Sequence, residues 1–360
     1  MRFGLSSEQK LFQDSLGQYL RERVPLQRVR AFAERDEGRA ADLVAGLAEL
    51  GVSGLLIPEA LGGVGLSALD ACVAAETLGY HVAPAAFTAN AVMVPAALRM
   101  AGSDAQQREW LPKIASGRAV VGASLSERSG ARQGAGVLAS GGRLRGRALF
   151  VLDFEADAYL VADALGGLHL VPADARGLTR TRLETIDPTR PIGELVFDGV
   201  EADTLPGADA QVCRRVLDLG RAVLAADTLG AAQNMIDQAV AYAKQREQFG
   251  RVIGSFQAVK HMCAEMAAEL EPARAFVWYA GHALDALPDE AHALACHLKA
   301  HLGEVGRFVA KTATEVHGGM GFTDLLGLHY WFKRIGFDRQ LLGSPERLRV
   351  EAARAQGLVA

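Results

Sequence analysis

The chain has 360 residues, of which half are hydrophobic, and its 38 Lys and Arg against 42 Asp and Glu give a net charge of −4. This composition excludes a largely disordered chain, and the slightly acidic balance gives no general reason to bind nucleic acid or an anionic membrane. No apolar run reaches the roughly 18–20 residues that a membrane span needs, and the first residues are too polar for a secretory signal. Four scattered cysteines fit a reducing compartment, so we expect a cytoplasmic protein.

The first block, residues 1–118, has the pattern of a helical domain. Ser6 with Gln9 three residues later is a capping-box signature, and apolar residues then recur at helical spacing. The same spacing returns in four further segments, 42–50, 68–79, 88–101 and 104–116.

The middle block, residues 119–205, consists of short β-branched or alternating segments separated by Gly, Asp or Pro. No helix-length segment lies between them, so the pattern predicts an antiparallel sheet or a small barrel. The last block, 206–360, is helical again, with three long helices that are each apolar on one side. We expect them to pack as a four-helix-type bundle, which makes the fold mainly α with a β middle domain.

The spacing Gly63-x-Gly65-x-x-Ala68 could mark a dinucleotide-binding turn. However, Pro58 interrupts the strand that such a motif needs before it, and no acidic residue ends a second strand about 20 residues later. We therefore interpret this segment as a turn between two helices.

Two motifs in the last block could contact an anionic ligand. Arg246, Gln248 and Phe249 combine a cation, an amide and a ring at the end of the first long helix. Gly318 and Gly319 follow the third helix, where glycines let backbone N–H groups approach a phosphate closely. Ordinary helix ends are the alternative for both motifs.

His297, His301 and Glu304 share one face of the third long helix at a spacing that can bind a metal ion. No second cluster clearly supplies the remaining ligands. We interpret these residues as ordinary surface residues of a helix and expect no metal site.

Taken in chain order, these segments resemble the acyl-CoA dehydrogenase family over nearly the whole chain. The resemblance rests on PEALGGVG at 58–65, SERSGA at 126–131, GRALFVLD at 146–153, REQFG at 246–250 and EVHGGMGFT at 315–323. The last two are the most specific, since both their sequences and their separation match. The resemblance implies the family's fold, with an N-terminal helical domain, a small β domain and a C-terminal four-helix bundle.

The resemblance also implies a bound FAD, a tetramer, an acyl-CoA substrate and an electron-transfer flavoprotein or similar acceptor. In the family, the motif around Arg246 and the Gly-Gly loop of one subunit reach the FAD held mainly by a neighbour. The cofactor-binding residues implied in this chain are Arg246, Gln248, Phe249, Glu315, Gly318, Gly319, Ser126 and Phe150.

Family chemistry removes a thioester α-proton with a carboxylate while the β-hydrogen leaves as hydride to the flavin. In most members the base is a Glu directly before Gly-Thr near the C-terminus, and here Leu342 occupies that position. Other members place the base in the long helix, in a Leu-Asp-x-Glu-Arg context, and here Gly220 occupies it. The resemblance therefore implies that the chain has no catalytic base at either position.

Further departures surround the flavin position. The family's Trp-x-Thr is FVL at 150–152, its Thr-Glu-Pro is SER at 126–128, and the Gln before its Gly-Gly loop is Glu315. The residues that would serve a neighbour's FAD are intact. The contrast between an altered flavin site of its own and an intact contribution to a neighbour's site favours a non-catalytic subunit of an α2β2 heterotetramer. The family uses this arrangement for bulky steroid side-chain thioesters in actinobacteria.

Two alternatives stay open. A self-sufficient acyl-CoA dehydrogenase could use another carboxylate as its base, for example Glu127 or Glu315. A non-redox protein could bind a nucleotide or nucleic acid on the same scaffold, although the net charge of −4 counts against nucleic acid.

Overall fold

The computed structural model of the protein describes residues 4–35, 38–129 and 135–359, without the side chains of Arg35 and Glu127. The helices of the N-terminal block are α1 Ser7–Arg23, α2 Leu26–Arg35, α3 Ala41–Glu49, α4 Ala68–Tyr80, α5 Val94–Ala101 and α6 Asp104–Ala115. Two 3₁₀ turns, Val52–Gly54 and Glu59–Leu61, lie between α3 and α4, and a π-helical segment, Thr88–Met93, runs directly into α5.

Short polar residues set where these helices begin. The hydroxyl of Ser6 accepts a hydrogen bond from the N–H of Gln9, whose side chain accepts one from the N–H of Ser6, so the predicted capping box is confirmed. The helices α4 and α6 begin with the same device. Close packing leaves no room for a side chain at Gly63, because a Cβ there would lie 2.1 Å from the carbonyl oxygen of Ile57. The segment is a tight turn before α4, as the sequence predicts.

The middle block forms two four-stranded sheets. Its strands are β1 Val121–Ser124, β2 Gly136–Ser140, β3 Arg143–Val151, β4 Ala158–Ala162, β5 Leu168–Pro172, β6 Leu178–Leu183, β7 Ile192–Glu201 and β8 Asp203–Thr204, with a short helix α7, Ser126–Ser129, after β1. The strand orders are β1-β4-β5-β8 and β2-β3-β7-β6. The described pairs are antiparallel as predicted, except that β1 runs parallel to β4. That pair can be parallel because the chain leaves the first sheet to form β2 and β3 before it returns.

The C-terminal block is a helical bundle. Its helices are α8 Ala210–Gln245, α9 Gln257–Ala286, α10 Pro288–His317, α11 Leu328–Asp338 and α12 Pro345–Ala355. A two-residue hairpin, β9 Glu247–Gln248 with β10 Arg251–Val252, joins α8 to α9 through a 3₁₀ turn, Ile253–Ser255. A further 3₁₀ turn, Gly318–Phe322, follows α10. The predicted fold class, mainly α with a β middle domain, is confirmed, and the domain boundaries at residues 118 and 205 stay predictions.

A buried ionic network, which we call the Arg334 network, joins the three blocks. The side chain of Arg334, only 2% exposed, lies 2.7 Å from Asp187 Oδ2 and 3.1 Å from Asp227 Oδ2 and also bonds to the carbonyl oxygen of Ala83. Arg190 pairs with the same Asp227 at 3.1 Å. Since these residues come from the N-terminal, β and C-terminal blocks, the network ties the blocks together at one point.

No helix in the described part of the chain combines the length and the apolar character needed to cross a membrane.

Candidate active site

The two positions where the family resemblance places a catalytic base face each other. Gly220 lies in the first third of α8, and Leu342 lies in the loop between α11 and α12. A Cβ added at Gly220 would lie 2.7 Å from Leu342 Cδ1 and 2.8 Å from Met93 Sδ. Leu342 is 92% buried within an apolar cluster that also contains Met93 and Leu217. The side chain of Leu342 therefore fills the space beside Gly220, and neither position offers a proton acceptor.

Arg221, the residue after Gly220, holds this loop against α8. Its side chain is fully buried, and its Nε donates to the carbonyl oxygen of Leu342 at 3.0 Å. The same guanidinium lies 3.2 Å from Asp218 Oδ1 and 2.7 Å from Glu351 Oε2. Leu342 has a φ of 56°, a left-handed conformation that is strained for a leucine. Contacts of this kind are what keeps such a residue in place.

We expect Gly220→Ala to change the free energy of unfolding in opposite directions with and without the Leu342 side chain, because the two positions are in contact. With Leu342 present, Gly220→Ala should be neutral or destabilising by about 1 kcal/mol, because overpacking offsets the gain in helix propensity. In a Leu342→Ala background the same change should stabilise the protein by roughly 0.5–1 kcal/mol, because the flexible side chain of Met93, the other close contact, can then move into the vacated space. Urea unfolding of the wild type, the two single variants and the double variant measures both effects. Equal effects in the two backgrounds would contradict the contact.

Asp218, His292 and Cys296 form the one group among the described residues with the composition of a metal site. The guanidinium of Arg221 already lies among them, 3.4 Å from the Cys296 sulfur. The protein's own cation thus occupies the position that an ion would need. Burial raises the pKa of the Cys296 thiol to about 12, so the thiolate that a metal would require is disfavoured.

The histidines that the sequence singles out do not converge on a site. His297 is exposed and lies 2.6 Å from the side chain of Gln356. The ring of His301 lies 6.3 Å from that of Phe276. Glu304 pairs with Arg339 at 2.6 Å and with Arg307 at 3.2 Å.

A cavity of about 1170 Å³, called here the cleft, opens between α5, α8, α12 and the connection from α9 to α10. Apolar side chains such as Ala96, Met100 and Leu217 line part of it. The arginines that line it are Arg99, Arg128, Arg214, Arg215, Arg221 and Arg354. Four acidic residues, Asp218, Asp285, Asp289 and Glu351, also line it, so the arginines exceed the acids by two. The combination suits a ligand with an apolar part and an anionic part.

Sequence reasoning did not single out Arg214 and Arg215, two of the arginines of the cleft. Arg214 and Arg215 are exposed, and neither makes an ion pair with any other described residue. In the sequence, Arg214 and Arg215 are typical of the solvent-exposed start of a long helix. Only the packing of α5 and α12 around that helix turns its first turns into a cavity wall.

The two predicted anion-facing motifs lie together at another place on the bundle. The rings of Tyr242 near the end of α8 and His317 at the end of α10 are 4.7 Å apart, which brings the two helix ends side by side. Phe249 is 92% exposed at the tip of the hairpin. Gly318 has a φ of 57°, and no atom lies within 4 Å of a Cβ built on it or on Gly319.

Arg246, Gln248 and Glu315 are also exposed at this end of the bundle. Glu315 pairs with Lys311 at 3.7 Å. Neither Glu315 nor any residue of the hairpin lines the cleft. For the other alternative base, the side chain of Glu127 lies outside the described residues, as do residues 130–131 of the SERSGA motif.

Ser126 and Phe150 lie close together in the β block. Ser126 Oγ accepts a hydrogen bond from the N–H of Leu149 at 3.2 Å and is buried. The next residue, Phe150, is 44% exposed at a bulge of β3, with a φ of 53°. Leu152, which stands where the family has a threonine, exchanges both backbone hydrogen bonds with Ala123 and is buried.

Comparison with known proteins agrees with this architecture. Residues 6–118 match the N-terminal domain of the acyl-CoA dehydrogenases, and residues 210–357 match their C-terminal domain. Acyl-CoA dehydrogenase IpdE2 of Mycobacterium tuberculosis is 32% identical over 89% of this chain and 88% of its own length.

Two solved structures share the fold over almost the full length. The Tcur3481-Tcur3483 steroid acyl-CoA dehydrogenase, as a G363A variant, superposes with a TM-score of 0.86 at 30% identity and covers 98% of this chain and 97% of its own. The ChsE4-ChsE5 complex of Mycobacterium tuberculosis gives 0.91 at 24% identity over all of both chains. The chain belongs to the acyl-CoA dehydrogenase family of FAD-dependent oxidoreductases that act on acyl-CoA thioesters.

Proposed function

We propose that this chain is the non-catalytic subunit of a heteromeric acyl-CoA dehydrogenase and completes the FAD site of its partner subunit. The observation that carries the proposal is the contrast between two sites. At the base positions, Gly220 and Leu342 meet in an apolar cluster. At the end of the bundle where α8 and α10 terminate, called here the outer end, the residues expected to reach a neighbour's FAD are exposed and close together.

The apolar contact between Gly220 and Leu342 leaves this chain without the carboxylate base that other family members use for oxidation. A positioned general base typically contributes about 10²–10⁴ in rate, and a leucine or glycine side chain cannot accept a proton whatever its surroundings. Glu315 lies near the C-terminal end of α10 and does not line the cleft, which argues against it as an alternative base. We therefore assign the base to the partner subunit.

The outer end of the bundle fits the diphosphate of FAD. Gly318 and Gly319 leave open space beside the backbone, where a side chain would otherwise block the approach of an anion. Arg246 can add a charge-assisted hydrogen bond, and the exposed ring of Phe249 can pack against a planar group. When bound, FAD accepts the β-hydrogen of the substrate as hydride.

The substrate proposed for the assembled enzyme is the CoA thioester of a bulky acyl group, with an electron-transfer flavoprotein or similar protein as acceptor. The arginines of the cleft suit the phosphates of CoA. The similarity at 30% identity to a steroid acyl-CoA dehydrogenase supports a steroid-derived acyl group.

Co-expression with a second acyl-CoA dehydrogenase encoded beside this gene tests the proposal. We expect a complex with one flavin for each pair of chains and acyl-CoA-dependent dye reduction, whereas this chain alone should show neither. A flavin-loaded, acyl-CoA-oxidising homotetramer of this chain alone would overturn the proposal. A flavin-free protein that binds nucleotides and assembles with no dehydrogenase would support the non-redox alternative.

A further inference from the structure

Asp218 and His292 form an acid–base pair in the wall of the cleft. Asp218 comes from α8 and His292 from the first turns of α10, and both line the cavity. His292 Nδ1 lies 3.0 Å from Asp218 Oδ1 and 2.9 Å from Oδ2. The carboxylate is 3% exposed and the imidazole 24%, so the ring is the more accessible member of the pair.

This geometry determines which ring nitrogen can accept a proton. An ionised carboxylate only accepts hydrogen bonds, so Nδ1 must carry the hydrogen between His292 and Asp218. In the neutral ring Nε2 then has the free lone pair, and no other described residue is hydrogen-bonded to it. An imidazole held in one tautomer by a buried carboxylate is an effective general base.

The groups packed around the pair support this assignment. Burial raises the pKa of the Asp218 carboxyl, while the contacts with His292 and with Arg221 on α8, the latter at 3.2 Å, act in the opposite direction and favour its ionised form. Cys296, one turn after His292 on α10, is a buried thiol. Glu351 on α12 is paired with Arg221 and Arg347. Arg221 and Cys296 thus contact the pair directly, and Asp218 and His292 both line the cavity.

We propose that the Asp218–His292 pair removes and returns the α-proton of a CoA thioester bound in the cleft, without oxidising it. The Cα–H bond breaks, the proton moves to His292 Nε2, and the electron pair forms the enolate of the thioester. Reprotonation at Cα by the imidazolium restores the thioester, so the cycle needs no electron acceptor. Among the arginines that line the cleft, Arg221 contacts the pair itself, and a cation beside the thioester oxygen would favour the negative charge that develops there.

This inference rests on one part of the proposed function, namely that the cleft takes a CoA thioester, but not on FAD or a partner subunit. A subunit that lacks the family's carboxylate base would in this way still exchange the α-proton of a bound thioester.

Deuterium exchange on phenylacetyl-CoA tests the inference. Its α-carbon is benzylic and relatively acidic, and it has no β-hydrogen, so desaturation cannot contribute to the signal. The full chain is incubated with this thioester in D₂O, and mass spectrometry follows deuterium at the α-carbon. Equilibrium dialysis measures binding of the same thioester. We expect binding together with exchange well above the rate in buffer.

Two variants and a control assign the exchange to His292. His292→Gln retains a donor for Asp218 but has no basic nitrogen, and should lower the exchange rate by about 10²-fold or more while binding persists. His292→Ala should lose as much and regain part of its rate with added imidazole, which a purely structural role would not produce. His297→Gln, on the exposed side of the same helix, should exchange like the wild type.

Exchange at the buffer rate despite binding, or an unchanged rate in His292→Gln, would overturn the inference. Absence of phenylacetyl-CoA binding would overturn it as well. Co-expression and flavin content are independent of these results, so the subunit proposal can stand where this one fails.

Discussion

Replacing Arg334 by methionine is expected to lower the free energy of unfolding by about 3–5 kcal/mol. The side chain is 2% exposed and pairs with Asp187 and Asp227, whose side chains are 0% and 8% exposed. Methionine has a similar volume but no charge, so the loss comes from two carboxylates left in a buried site with fewer partners. Urea unfolding followed by circular dichroism measures the change.

The matched control is Arg145→Met on the β block. Arg145 pairs with Asp198 at 2.7 Å, but both side chains are mostly exposed, so this change should shift stability by less than about 1 kcal/mol. Neutralising Asp187 as Asp187→Asn in the Arg334→Met background should recover part of the loss. An Arg334→Met protein as stable as the Arg145→Met control would show that the network does not hold the blocks together.

Arg246→Ala in this chain is expected to weaken FAD binding in the assembled complex by about 10- to 100-fold. Removing a charge-assisted hydrogen bond typically costs about 1.5–3 kcal/mol of binding free energy. Arg246 is exposed at the end of α8, and the isolated chain should unfold as the wild type does. The effect should therefore appear only in the complex, as flavin lost on dilution and as activity that added FAD restores.

Arg251→Ala is the control for this change. It removes an arginine from the same hairpin, and Arg251 stacks on Phe256 at 4.0 Å within its own chain. We expect a complex that retains its flavin. Equal flavin loss in both variants would point to hairpin distortion, and no loss in either would contradict the proposed contact of Arg246 with FAD.

The local structure could be predicted well from the sequence. Helical periodicity and the serine cap at Ser6 depend on neighbours a few residues away, and both are confirmed. The change to β periodicity after residue 118 predicts the sheets, but it does not predict that β1 lies parallel to β4, because strand direction depends on where the chain returns. The REQFG motif and the glycine loop can be recognised in the sequence because each is contiguous, but the hairpin that REQFG forms is not predicted.

The amino-acid sequence by itself determined the family, through motifs of adjacent residues, and showed that Leu342 and Gly220 stand where a base is expected. Only the tertiary structure decided that these two residues share one apolar site, with Arg221 fastening the loop beside it. The tertiary structure also places His292 in contact with Asp218 and makes the start of α8 part of the cavity lining. Such contacts join residues far apart in the chain, and their geometry depends on helix packing that no local pattern encodes.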